Sequence, residues 1–384
     1  MKAYKFRIYP NKEQTDRLEF ALEMCRQTYN NLLSELNNQI VIDKAQIQAT
    51  IPDLKICNPE LRQVYSKTLQ YECYRLFSNL SALRVLKQNK KKVGRLRFKG
   101  KGWFKTINYN QSGFKLDKEN KRLSLSKIGN IKIKLHREVE GNIKQITIKK
   151  SIDKWFVTII TDAIIKTKGG DKVLGIDLGI NNFIVDSENN VVENPLNYKK
   201  YYSKLRQAHK DLSRKKKGSN NRNKAKIKLS KIYEKINNSR DDFLHKTSTG
   251  LIRKSKIIVL EDLNIKQMMQ QKYFNAKNIA DSSWGKFLQF LTYKAESADC
   301  KIVKVDPKDT TKTCSQCGSI QEMPLYKRTY ECVGCGFVID RDYNSAINIL
   351  NKFLGSERAY VEKSTPVPLE QVGSMKQEAI TLTC

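Results

Sequence analysis

The stretch Lys172-Val-Leu-Gly-Ile-Asp-Leu-Gly-Ile-Asn181 contains an apolar run, one acid within it and a glycine break at Gly179. The apolar residues predict a buried strand over 172–178, and Asp177 is the acid that this strand carries. Burying an unpaired carboxylate costs several kcal/mol, so such an acid needs a metal ion, a cation or a hydrogen-bond donor. Asp177 is therefore the first candidate site residue.

Strands and helices alternate after this stretch, which predicts an α/β domain. We expect further strands at 183–187, 256–261 and 301–305, and helices at about 197–216, 222–254, 282–299 and 343–353. The segment Lys168-Gly-Gly-Asp171 ahead of the domain is typical of a linker.

The part of the chain before this linker has a different pattern. Residues 2–9 alternate as a strand, apolar spacing from Leu18 to Leu36 predicts a helix, and a second long helix opens at Asn58-Pro59. Four short strands follow within 122–161. We expect a small antiparallel barrel or sheet that includes the first strand and carries the helices as an insertion.

Two further acids lie at element ends in the α/β part. Glu261 ends an apolar run, and Asp342 opens the last helix. Each acid alone is equally typical of an ordinary strand end or helix cap. Together with Asp177 they predict a three-carboxylate cluster that holds two Mg²⁺ ions roughly 4 Å apart and can hydrolyse a phosphodiester.

Asp340 and Asp342 compete for the third position of this cluster. Asp342 lies four residues before Ala346, so both share the helical face that must pack on the sheet. Asp340 ends a strand outside the helix, where we expect Arg341 or solvent to satisfy it. We therefore choose Asp342.

Four cysteines follow the spacing of a metal site, Cys314-x2-Cys317-x14-Cys332-x2-Cys335. Two such pairs, each followed by a glycine, predict one tetrahedral zinc ion. Chance clustering of thiols and a redox pair explain the spacing less well. Because no fifth ligand is in sight, we expect a closed, structural site.

The amino-acid composition indicates what kind of molecule the protein binds. The 384 residues hold 72 Lys+Arg against 39 Asp+Glu, and the net charge of +33 requires a polyanion, most simply nucleic acid. No apolar run approaches the about 20 residues that span a bilayer, and the charged N-terminus lacks a signal-peptide core. We therefore expect a cytoplasmic protein that binds neither a membrane nor a small-molecule cofactor.

Two segments concentrate the positive charge. Residues 84–105 hold ten Lys/Arg and no acid, interleaved with Phe98, Trp103 and Phe104, and residues 204–235 hold 13 Lys/Arg against two acids on a helix pair. Both segments suit binding to nucleic acid, and the aromatic residues of 84–105 also suit base stacking. A flexible loop at 84–105 and solvated helix faces at 204–235 remain alternatives. The candidate nucleic-acid contacts are Lys67, Gln70, Arg95, Arg97, Lys99, Trp103, Arg214, Lys215, Lys216 and Arg222.

The phrases Gly175-Ile-Asp177-Leu-Gly, Leu260-Glu261-Asp262-Leu-Asn264 and Asp342-Tyr-Asn344-Ser-Ala346 resemble the three RuvC motifs of the TnpB (OrfB) family. The cysteine pairs before the third motif and the opening Tyr4–Pro10 are also similar. This resemblance implies a transposon-encoded RNA-guided DNA endonuclease that cleaves beside a short target-adjacent motif. Its partners would be a guide RNA and target double-stranded DNA.

The resemblance also implies roles and domains. Asp177, Glu261 and Asp342 match the catalytic, magnesium-binding acids, and the four cysteines match the zinc ligands. The implied fold is a RuvC nuclease domain of ribonuclease-H-like type with an inserted zinc ribbon, preceded by a wedge-like β-barrel that carries a helical recognition insertion. The expected ranges are 1–10 and 92–167 (barrel), 11–91 (insertion), 171–305 and 337–354 (nuclease), 306–336 (ribbon) and 355–384 (flexible tail).

Other functions remain open at this point. An RNA-guided or direct DNA-binding protein without cleavage, or a transposase that joins DNA strands, would share the charge and much of the fold. An actin-like ATPase is disfavoured because Ile180-Asn181 stand where that class needs Thr or Ser. The scattered histidines His136, His209 and His245 receive no catalytic role.

Overall fold

A computed structural model describes residues 1–164, 167–270, 276–324 and 326–364. The chain divides into two compact units, Met1–Ile164 and Ile165–Cys384. None of the helices in the described ranges is long and apolar enough to cross a membrane.

The first unit is built on a seven-stranded antiparallel sheet. Its strands are β1 Lys2–Tyr9, β2 Thr106–Asn110, β3 Phe114–Asp117, β4 Arg122–Leu125, β5 Gly129–Lys134, β6 Ile143–Ser151 and β7 Lys154–Thr161. The order is β2-β6-β7-β1-β5-β4-β3, so the first strand joins the two halves, as expected. The short β2 and β3 were not predicted, although each alternates two apolar residues with polar ones.

Two helices, α1 Lys12–Asn38 and α3 Ser66–Gln88, pack on this sheet, and α2 Lys44–Cys57 packs against both of them. The predicted helix start at Asn58-Pro59 is wrong, because these residues open only a 3-10 turn, Pro59–Gln63. Val64 is buried with extended backbone, and the Tyr65 ring stacks on Tyr109 of β2, so the chain cannot continue as one helix.

The second unit contains a five-stranded mixed sheet. Its strands are β8 Lys172–Leu178, β9 Asn182–Asp186, β10 Val191–Glu193, β11 Ser255–Glu261 and β12 Lys301–Val305, in the order β10-β9-β8-β11-β12. The strands β8, β11 and β12 are parallel to one another, whereas β9 runs antiparallel to both of its neighbours, β8 and β10. The predicted strands are confirmed, and the three-residue β10 is additional.

Helices cover both faces of this sheet. The helices are α4 Asn197–Ser213, α5 Asn220–Lys254, α6 Ile265–Gln270, α7 Ala276–Ser282, α8 Trp284–Ser297 and α9 Arg341–Ser364. Ile258 and Leu260 of β11 pack with α5 and α8, whereas Ile257 and Val259 pack with α9. A strand buried on both faces explains the continuous apolar run.

The expected linker is packed against the end of α5. The Gly170 amide donates to the Ile252 carbonyl, and a side chain at Gly170 would collide with the Lys254 backbone. Close packing therefore explains these glycines better than flexibility does.

The last two strands, β13 Thr329–Glu331 and β14 Val338–Asp340, form a hairpin that leads into α9. The predicted end of the last helix at 353 is wrong, because α9 continues to Ser364, through the first ten residues of the expected tail, and the first proline after Gly355 is Pro366. Residues 365–384 of that expected tail lie outside the described residues.

Candidate active site and metal centre

Asp177 is buried near the end of β8, on the face that α9 covers. Helix α9 lies so close to this strand that only glycine fits at position 175: an added Cβ at Gly175 would lie 2.3 Å from the Ala346 carbonyl oxygen. This approach lets the Ser345 hydroxyl donate to Asp177 Oδ1 at 3.3 Å.

Glu261 is the last residue of β11, the parallel neighbour of β8. Leu260 pairs with Ile176, so Glu261 and Asp177 follow side by side and point to the same face of the sheet. The Thr310 hydroxyl donates to Glu261 Oε1 at 2.5 Å.

Asp342 lies buried in the first turn of α9, where two arginines contact it. Arg341 Nη2 is 2.8 Å from its Oδ1, and Arg328 Nη1 is 3.6 Å from its Oδ2. Asp340 instead accepts hydrogen bonds from the Asp342 and Tyr343 amides, at 2.9 and 3.0 Å. Asp340 therefore lies outside the helix, caps its first turn and is exposed to solvent, as one of the two expectations had it, and Arg341 pairs with Asp342.

The electrostatics of this site follow from burial and from like charge. Burial, together with the negative charges of Glu261 and Asp342, raises the pKa of Asp177 to about 8. Burial also raises the pKa of Glu261, although the Thr310 hydrogen bond and the Lys352 charge oppose it. Carboxylates whose pKa values rise for these reasons gain from a nearby cation, and carboxylate oxygens are the donors that Mg²⁺ prefers. These acids could therefore hold such a metal.

The four predicted zinc ligands meet at the hairpin. Within the described ranges, Cys314, Cys317, Cys332 and Cys335 are the one group of at least three His, Cys, Asp or Glu whose ligand atoms all lie within 4.8 Å. The sulfurs of Cys314 and Cys335 are 3.8 Å apart, and those of Cys317 and Cys332 are 3.5 Å apart. A tetrahedron with Zn–S bonds of about 2.3 Å has edges of about 3.8 Å. The four thiols thus fit one zinc ion, and the three carboxylates are spread more widely.

In the basic segment 84–105 of the first unit, side chains of helix α1 hold the backbone at Lys99. The Asn30 side chain bonds both the amide and the carbonyl of Lys99, and Arg26 also donates to this carbonyl. Lys99 Nζ lies 5.2 Å from the Trp103 ring centroid, and that ring is 66% exposed. The segment is therefore an ordered surface and not a free loop.

The other basic candidates differ in exposure. Arg95 and Arg97 are exposed, as is Lys67, while Gln70 is half-buried one turn further along α3. The grouping of Phe104 with the stacking aromatics is wrong, because that ring is buried in the core.

In the second unit, Arg214, Lys215 and Lys216 are exposed at the turn between α4 and α5. Arg222 is half-buried and donates to the Leu212 and Lys215 carbonyls, each at 2.9 Å. Arg222 therefore holds the turn that presents the other three.

Sequence reasoning missed the hydrogen-bonding neighbours of the acids, Ser345 and Thr310, and the second arginine, Arg328. Ser345 stands within a quoted motif, which was the one available signal. Thr310 and Arg328 are distant in sequence from the acids that they contact.

The fold and the two sites define the class of protein: an α/β protein that has carboxylates at the ends of parallel strands and four cysteines at a hairpin. Family models match at three places: "Probable transposase" of the OrfB type at 156–272, a Cas12f1-like TNB domain at 284–349 and a helix-turn-helix domain at 1–41. The last range contains one strand and one long helix here.

Two relatives match nearly the whole chain. A Streptomyces pristinaespiralis protein, provisionally named an RNA-guided DNA endonuclease, is 30% identical over 91% of this chain and 88% of its own length. InsQ of Escherichia coli K12, with the same provisional name, is 28% identical over 91% and 92%. The chain therefore belongs to the TnpB (OrfB) family.

A solved structure gives the same fold. The structure of a Cas12f1–sgRNA–target DNA complex matches with a TM-score of 0.53 and 16% identity, over 88% of this chain and 82% of that one.

Proposed function

We propose that this protein is the RNA-guided DNA endonuclease of an insertion-sequence transposon, which cleaves DNA beside a short target-adjacent motif. The observation that carries the proposal is the pair Asp177 and Glu261, which lie side by side on parallel strands with Asp342 close enough to raise the Asp177 pKa. The names of the two long relatives support the same activity. We expect it to act in the cytoplasm.

The finer domain assignment is part of this proposal. The mixed sheet and α9 would form the ribonuclease-H-like RuvC domain, 171–305 and 337–354, with 306–336 as its zinc ribbon. The antiparallel sheet would be the wedge-like barrel, 1–10 and 92–167, and residues 11–91 the recognition insertion. The strand order β10-β9-β8-β11-β12, with β9 and β10 antiparallel, supports the first assignment.

Asp177, Glu261 and Asp342 would hold two Mg²⁺ ions. When bound, these ions would supply an activated water and stabilise the leaving oxygen of the phosphodiester. The chain's own contribution is orientation: Ser345 holds Asp177, Thr310 holds Glu261, and the two arginines hold Asp342. Burial of the acids keeps bulk water from competing for their oxygens.

One zinc ion would be held by Cys314, Cys317, Cys332 and Cys335 as a structural centre. Gly318 and Gly336 support this role, because each has positive φ directly after a ligand and lets the backbone turn around the metal. No open coordination position is needed for such a role.

Guide RNA and target DNA would bind the ordered basic surfaces. Lys67 and Gln70 would face the short DNA motif, and the segment with Arg95, Arg97, Lys99 and Trp103 would contact phosphates and stack a base. The turn with Arg214, Lys215 and Lys216, held by Arg222, would contact backbone phosphates.

The test is cleavage of matched DNA by protein purified with its RNA, with Mg²⁺ present. Glu261→Gln should abolish cutting and keep RNA binding. Asp262→Asn is the matched control, because Asp262 is the exposed neighbour, paired with Lys304 at 2.8 Å, and should cut normally. Binding without cutting by the unaltered protein would support a guided binding protein, and joined products would support a strand-transfer enzyme.

A further inference from the structure

Three side chains on one face of α9 hold the segment that leads from β12 to the first zinc ligand. They are Asn344, Asn348 and Lys352, spaced by four residues and therefore aligned along the helix. They contact backbone groups of residues 306–315, and those contacts form a continuous ladder beside the acid site.

Each rung of this ladder is a specific hydrogen bond. Asn344 donates to the Thr313 carbonyl at 2.8 Å and accepts from the Ser315 amide at 2.9 Å. Asn348 donates to the Thr310 and Thr313 carbonyls, at 2.9 and 2.6 Å. Both asparagines are buried, so losing Asn344 would remove the acceptor of the Ser315 amide, and losing Asn348 would remove the donor to the Thr310 carbonyl.

Lys352 adds the last rung and donates to the Asp306 carbonyl at 2.9 Å and also to the Lys308 carbonyl. The ladder therefore fixes the backbone on both sides of Thr310.

Thr310 connects this hydrogen-bonded segment to Glu261 of the acid site. Its side chain is buried, and its hydroxyl oxygen lies 2.5 Å from Glu261 Oε1 and 3.0 Å from the Pro307 carbonyl. A hydroxyl has one proton, and the contact to Glu261 is the shorter of the two; with Glu261 ionised, that hydrogen bond is charge-assisted and is the stronger one.

We propose that Thr310 is a positioning residue for Glu261, held in place by Asn344, Asn348 and Lys352, so that the zinc hairpin and the carboxylate site form one connected structure. The proposal rests on the proposed function in one respect, the catalytic use of Glu261. Its chemistry is orientation: the hydroxyl fixes one carboxylate oxygen and leaves the other free for a metal ion.

The test compares Thr310→Val, Thr310→Ser and Thr313→Val in the full-length protein with its RNA. Thr310→Val keeps the shape but removes the donor, and it should cut roughly 10- to 100-fold more slowly and require more Mg²⁺ for half-maximal rate. Thr310→Ser should restore most of the rate. Thr313→Val is the matched control, because the Thr313 hydroxyl donates to the Asp309 carbonyl in its own turn and to no acid in the described part of the chain.

A second readout does not depend on cleavage. In Asn348→Ala, amide hydrogen exchange should increase within 306–315 while the strand β8 stays protected. Unchanged exchange in that segment would overturn the ladder, even if a Thr310 variant folds poorly.

The outcomes separate this inference from the proposed function. If Glu261→Gln cuts normally, the proposed active site is wrong. If Glu261→Gln is inactive while Thr310→Val cuts at the normal rate with the normal Mg²⁺ requirement, only the positioning role of Thr310 is wrong. Failure of Thr310→Ser to recover activity, or an equal loss in Thr313→Val, would also overturn that role.

Discussion

Gly175→Ala is the substitution that tests how the site is assembled. The new Cβ would lie 2.3 Å from the Ala346 carbonyl oxygen and 2.8 Å from both the backbone nitrogen and the Cβ of Leu350. Ordinary contacts begin near 3.4 Å, and the colliding atoms belong to the body of α9 and cannot rotate away. Helix α9 must therefore move from β8 by about 1 Å and take Asp342 and Ser345 with it.

This displacement should lower both the stability of the fold and the cleavage rate. Overpacking of this kind costs about 1–3 kcal/mol, which corresponds to a fall of roughly 2–12 °C in the melting temperature for a unit of this size. A misplacement of about 1 Å in a catalytic group lowers the rate by about 100-fold. The cleavage rate should therefore fall far more than the small loss of folded protein explains.

The assay is cleavage of matched DNA below the melting transition, with thermal unfolding measured in parallel. Gly250→Ala is the matched control: this glycine lies inside α5 with open space around its Cβ position, so alanine should stabilise the helix by up to about 1 kcal/mol and leave cleavage unchanged. A Gly175→Ala protein with the normal rate and melting temperature would refute the argument that α9 fixes the acid geometry.

Three further predictions concern other charged and metal-binding groups. Asp342→Asn should abolish cleavage, whereas Asp340→Asn should cut well, since asparagine caps a helix about as well as aspartate; the reverse result would exchange their roles. Elemental analysis should find one zinc per chain, and Cys332→Ser should lower both zinc content and melting temperature; a full zinc complement in that variant would contradict the site. Burial raises the pKa of Glu72 to about 8, against the opposing charge of Arg75. The free energy of unfolding should therefore fall as pH rises from about 4.5 to 8, because over this range Glu72 loses its proton in the unfolded chain but keeps it in the folded one. The gain in melting temperature from Glu72→Gln should grow over that range, and a constant difference would rule out this titration.

The sequence predicted those parts of the site whose position follows from one strand or one helix. Apolar runs that end in acids place Asp177 and Glu261 at corresponding ends of strands, and parallel pairing brings such ends together. The zinc ligands were equally accessible, because two residues between paired cysteines and a following glycine fix the local turn. In both cases a short local pattern places each side chain, and a general rule of strand pairing or metal ligation brings the side chains together.

Contacts between distant segments could not be predicted in this way. Asn58 and Pro59 open only the short 3-10 turn Pro59–Gln63, because burial of Val64 and stacking of Tyr65 on Tyr109 keep the chain from continuing as a helix. Likewise, Arg222 is one of many bases in its segment, and only the folded turn gives it two carbonyl partners.

The basic segment shows why charge alone was a poor guide to order. Ten bases without an acid repel one another, which favours a mobile loop. Asn30 overcomes this repulsion because it bonds both backbone groups of Lys99, and Phe104 anchors the same segment in the core. The exposed Trp103 ring is thus presented on a fixed backbone, so less conformational entropy is lost when a base stacks on it. The contacts that hold this segment bond its backbone and bury Phe104, and they leave its positive side chains available to phosphates.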